Sequence, residues 1–75
     1  MSMNEALAML AEALQVDAGQ VDASTALGHT IEWDSLAHMR LILALEDCLG
    51  RALVAEEILA VASLEDVVAV LGSRL

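Results

Sequence analysis

A serine hydroxyl gains chemical use when the chain presents it at the start of a helix, and Trp33-Asp34-Ser35-Leu36 is the stretch that does so here. The N–H groups of a first helical turn and the positive end of the helix dipole favour an anionic phosphate, so a phosphodiester on Ser35 would be well placed. The same Asp-Ser pair is also an ordinary helix cap, and the residue types alone leave both roles open. His38 follows one turn later and invites comparison with a Ser-His pair. No Asp-x-x-His and no glycine loop able to form an oxyanion hole follow it, so hydrolysis is set aside. His29, Glu32, Asp34 and Cys48 lack the spacing of a metal site. Cys48 and His38 are expected on the inner side of a helix, as a small core residue and as a partly buried, hydrogen-bonded imidazole. Trp33 is expected to pin the loop before the serine.

The elements that must position this stretch are helical. Ser2 with Glu5 makes a capping pattern, and Met3, Leu7, Leu10 and Leu14 recur at helical spacing, predicting a first helix that fades near Val16 to Gly19. Residues 17–33 mix Asp, Gly, Ser, Thr and His with isolated Val21, Leu27 and Ile31, which predicts a long ordered loop pinned to the core by those apolar side chains. A second helix should begin at Asp34 or Ser35 and stop at Gly50. Turned at 100° per residue, it places His38, Leu41, Ile42, Leu45, Cys48 and Leu49 on one side and Leu36, Met39, Arg40, Leu43 and Asp47 on the other. One face suffices for a small core, so the other has apolar side chains left over. A short helix is expected over Ala55 to Leu59, with Glu56 and Glu57 in its first turn. Ser63 and Asp66 cap a last helix, whose buried stripe reads Leu64, Val67, Val68 and Leu71.

Composition supports the same answer: proline is absent, Trp33 is the sole aromatic residue, and Ala, Leu, Val and acids dominate. A chain of 75 residues builds one modest core. The expected fold is therefore all-α, a small four-helix bundle of three main helices and one short one, with a long loop between the first and second, in a single monomeric domain over residues 1–75. The net charge of −9 excludes phosphate-backbone binding, so no nucleic acid partner is expected, and it favours attraction to basic patches on other proteins. No run approaches the roughly 18 uninterrupted apolar residues of a membrane span, no basic stretch precedes an apolar run at the start, and Cys48 is alone. A cytoplasmic protein without membrane insertion is expected.

Taken together, Asp34-Ser35-Leu36, then Leu41, Ala44, Leu45 and Glu46, the acidic pair Glu56-Glu57, and Ser63-Leu64 with Val67, Val68 and Leu71 resemble the acyl carrier and peptidyl carrier protein family. The resemblance covers residues 27–71. It implies that a Mg²⁺-dependent phosphopantetheinyl transferase moves 4′-phosphopantetheine from coenzyme A onto Ser35, flanked by Asp34 and Leu36. It further implies a stand-alone, non-catalytic carrier whose arm holds an acyl or aminoacyl group as a thioester. The expected partners are that transferase, a loading ligase, and downstream transferases or synthases. Leu36, Met39, Arg40, Leu43, Glu46 and Asp47, with Glu56 and Glu57, correspond to the partner-docking surface.

Two departures bear on cargo. Ala37 and Arg40 stand where fatty-acid carriers usually have acids, and His29 to Trp33 separate Leu27-Gly28 from Asp34. The Trp-Asp-Ser-Leu-x-His form looks more like carriers of specialised or aminoacyl pathways. The competing reading is a small helical protein-interaction module without a prosthetic group.

Overall fold

The computed structural model describes residues 3–22 and 24–72. Four α-helices follow one another: α1 over Met3–Leu14, α2 over Ser35–Leu49, α3 over Ala55–Ala60 and α4 over Leu64–Gly72. A single 3₁₀ turn at Ala18–Gln20 interrupts the loop after α1. The all-α expectation holds, with three main helices and one short one.

One cluster of buried side chains joins the helices: Leu10 from α1, Leu41 and Leu45 from α2, and Val67 and Leu71 from α4 are sealed from solvent. Ala6, Ala11, Ala13 and Ala37 are buried in the same cluster. Small side chains there let α1 and α2 pack near one another, and the leucines supply most of the buried apolar area. The stripes of α1 and α4 are narrower than expected. Met3 is exposed, while Leu7 and Val68 are half-buried, because alanines take the innermost positions of α1 and Val68 packs at the margin of the core. The predicted Ser2 cap lies outside the described residues.

α1 ends earlier than its sequence suggests. Val16 N–H donates to Ala11 O (3.0 Å) and Gln15 N–H to Glu12 O (3.2 Å), a paired closure of the last turn in which Gln15 adopts φ 60°. Gln15 takes the left-handed position. α2 stops as predicted: Gly50, at φ 74°, donates its N–H to Glu46 O, a backbone state that a side chain would strain.

The described part of the loop, residues 17–22 and 24–33, is pinned only in part by the apolar residues expected to do so. Val21 is buried as expected, whereas Ile31 is 92% exposed and Leu27 is 37% exposed. Thr25 goes in instead, its Oγ1 accepting from Asp22 N–H (3.1 Å), and Trp33 follows it at 2% exposure. The backbone of Leu27 is held where its side chain is not: its N–H donates to Ala62 O (2.9 Å) in an antiparallel bridge to the start of α4. Pairing the peptide group this way leaves the side chain free of the core. At the far end, Ser63 Oγ accepts from Asp66 N–H (3.2 Å) and Asp66 accepts from Ala62 N–H (3.0 Å), the predicted cap of α4.

Candidate functional site

Ser35 is the first residue of α2 and is exposed. Its position is set by Asp34, which caps the helix in extended conformation and accepts from Ala37 N–H (2.8 Å). Behind it, buried Trp33 anchors the chain, as the sequence suggests. Its N–H donates to Thr30 O (3.0 Å) and its indole Nε1–H to His38 Nδ1 (3.0 Å). His38 is half-buried and bonded on both ring nitrogens, since Nε2 lies 3.0 Å from Ile58 O.

The serine hydroxyls of the described residues differ in what they do. Ser24 Oγ donates to Asp22 (2.6 Å), a bond that helps hold the Asp22 carboxyl below its ordinary range, and Ser63 Oγ caps α4. Ser35 has no protein hydrogen-bond partner among the described residues, so its oxygen is presented to solvent at a helix N-terminus. The amides of Ser35 and Leu36 belong to the turn that has no helix carbonyl to reach, which leaves donors beside Ser35 for phosphate oxygens. A phosphodiester fits this corner on charge and access.

The outer face of α2 continues from the serine. Leu36, Met39 and Leu43 are 66%, 59% and 58% exposed, against 0% for Leu41 and Leu45 on the inner face. The left-over face is therefore real. It is smaller in polar content than the sequence suggests. Arg40 does not stand on it: its Nε–H donates to Ala13 O (2.8 Å), at the C-terminal end of α1. A cation there meets the carbonyls of the last turn and the negative end of the dipole, which explains its turning inward. Asp47 is exposed and lines, with Arg40, Cys48 and Glu12, an open groove between α1 and α2.

Two further acids are occupied. Glu46 accepts from Leu53 N–H (2.8 Å), closing the loop after α2. Glu57 accepts both guanidinium N–H groups of Arg51 (2.9 Å each) and Val54 N–H (3.1 Å), and these bonds, the Arg51 one first, lower its carboxyl to about 2. Glu56 remains exposed in the first turn of α3. These tertiary bonds leave no trace in sequence periodicity, so Arg40, Glu46 and Glu57 read from the sequence as surface charges.

Among the described residues no group of His, Cys, Asp and Glu is arranged to hold a metal, and no helix is long and apolar enough to cross a membrane. Comparison with known families decides the class: the model of the phosphopantetheine attachment site matches residues 4–71. The chain belongs to the phosphopantetheine-attachment family. Its domains are where 4′-phosphopantetheine is covalently attached, and they carry rather than catalyse, meeting enzymes such as transferases and synthases. Among curated proteins and solved structures, none matches the chain. The phosphopantetheine-carrying role of this domain thus rests on the family match, and the geometry around Ser35 agrees with it.

Proposed function

We propose that Ser35 is the attachment residue, and that the chain is a non-catalytic carrier presenting an acyl or aminoacyl group to successive enzymes. The observation that carries the assignment is the exposed Ser35 hydroxyl, free of protein hydrogen bonds among the described residues, at the N-terminus of α2 and inside the matched span of residues 4–71. In the transfer, Ser35 Oγ forms the new P–O bond to the phosphopantetheine phosphorus of coenzyme A. The pyrophosphate bond breaks, adenosine 3′,5′-bisphosphate leaves, and the serine proton passes to a base of the transferase. When bound, the arm supplies a terminal thiol that holds cargo as a thioester. This chain's own residues orient the oxygen through Asp34 and Trp33, and tethering raises the cargo's effective concentration at each partner.

Leu36, Met39 and Leu43 form the docking face in this reading, with Glu56 and Asp47 as its acidic margin. An exposed apolar strip beside a reactive residue is costly to leave in water, which favours a partner that covers it. The form of the motif favours a specialised or aminoacyl pathway, and lone Cys48 fits a reducing cytoplasm. Incubation of the chain with coenzyme A, Mg²⁺ and a promiscuous phosphopantetheinyl transferase, read by intact mass, tests the assignment. Wild type should gain one arm and Ser35→Ala none. Equal labelling of both would remove Ser35 from the role, and no labelling of either by several transferases would favour a plain helical interaction module.

A further inference from the structure

α3 buries none of its six residues, in contrast to α1, α2 and α4. Core side chains bracket it, Leu53 before its N-cap and Val61 at its C-cap, while the helix itself is tied by the half-buried Ile58 side chain, the exposed Arg51–Glu57 pair, and the bond between His38 and Ile58 O. Exposed ion pairs hold weakly. The His38 bond is the one that connects α3 to the turn of α2 that opens at Ser35, since positions i and i+3 are neighbours on a helix surface.

That bond has a defined protonation state. The Trp33 indole nitrogen is a donor only, so His38 Nδ1 must be its acceptor and carries no proton. Nε2 then holds the single proton and donates to Ile58 O. The two rings also stack, with centroids 6.1 Å apart and planes at 29°.

We propose that His38 is the positioning residue that latches α3 beside Ser35, and that a proton on Nδ1 opens the latch. With that proton in place, two N–H donors face each other across the Trp33 contact. Trp33 is fixed in the core at 2% exposure, whereas His38 is half-buried, so the imidazolium is the partner that turns out into water. Turning out breaks its bond to Ile58 O as well, and α3 loosens. The outcome is lost protection of α3 as pH falls. The other charged groups on the segments that meet here are Glu32, Asp34, Glu56, Glu57 and Arg51. His29, exposed in the loop, is the remaining imidazole and serves as a control.

The test is ¹H–¹⁵N NMR of the unmodified chain from about pH 8 to 5.5, following the Trp33 Nε1–H signal and hydrogen-exchange protection of the α3 amides. In wild type and His29→Gln both should change together, with protection in α3 falling at least about tenfold while α1 and α4 keep theirs. His38→Ala should leave α3 unprotected and pH-independent across the range. Trp33→Phe, which removes the facing donor, should leave α3 protected at both ends, and should Trp33→Phe fail to fold, His38→Ala still decides. The proposal is overturned if α3 protection in wild type is independent of pH, if His38→Ala retains it, or if His29→Gln abolishes the response. None of these readings depends on modification of Ser35, so the latch and the carrier assignment can fail separately.

Discussion

The two faces of α2 have similar apolar side chains and opposite fates. Leu41 and Leu45 are sealed against α1 and α4, while Leu36, Met39 and Leu43 keep more than half of their surface in water. Burial of the inner leucines stabilises the fold by removing apolar area from solvent. The outer residues contribute little of that kind, although they lie on the helix that Ser35 begins. The contrast shows that hydrophobicity alone does not reveal where a residue lies in a domain this small: one face is sealed in the core, and the other, proposed above as the docking face, stays in water.

The sharpest way to break this comparison is Leu45→Ala. It should cost roughly 2–5 kcal/mol, the range for a fully buried leucine, read by chemical or thermal denaturation. A melting temperature equal to wild type would place Leu45 outside the core. Next is Arg40→Glu, which removes the donor to Ala13 O and sets an anion at the C-terminal end of α1. A loss of about 1–3 kcal/mol is expected. If Arg40→Glu keeps full stability and alters only partner reactions, Arg40 belongs to the outer face after all.

Leu43→Asp should do the reverse of both. Stability should stay within about 0.5 kcal/mol of wild type, while modification by the transferase slows at least about fivefold. Unfolding would put Leu43 in the core, and unchanged reaction with every partner would remove the outer face from docking.

The smallest effect concerns the edge of α3. Glu57 is depressed from 4.5 to about 2, so the stability it contributes is present above its ordinary range and is lost as pH falls toward about 2. Glu57→Gln should flatten that acid limb of the stability profile. An unchanged limb would mean that the Arg51 pair does not form in solution.

Much of this was legible in the sequence because it depends on local chemistry. Helix periodicity placed α2 and, Arg40 apart, both of its faces, Gly50 marked its end, and Ser63 with Asp66 marked the start of α4. Trp33 and His38 fell as expected, as a loop anchor and a bonded, partly buried imidazole. What escaped depends on contacts distant in the chain. Gln15 in a left-handed state, Thr25 in place of Ile31 in the core, and Arg40 on the carbonyl of Ala13 each answer to a backbone partner that hydropathy does not register. Three of the charges named for the expected docking surface, Arg40, Glu46 and Glu57, thus carry bonds within the chain, while Leu36, Met39 and Leu43 are exposed.

Which oxygen accepts the arm is read directly by fragmentation mass spectrometry of the transferase-treated chain. Ser35 sits among serines whose hydroxyls are otherwise engaged at Ser24 and Ser63. The predicted result is one added phosphopantetheine group on the peptide containing Ser35, localised to that residue, with none on any other serine. A group localised to Ser24, Ser63 or any residue other than Ser35 would contradict it.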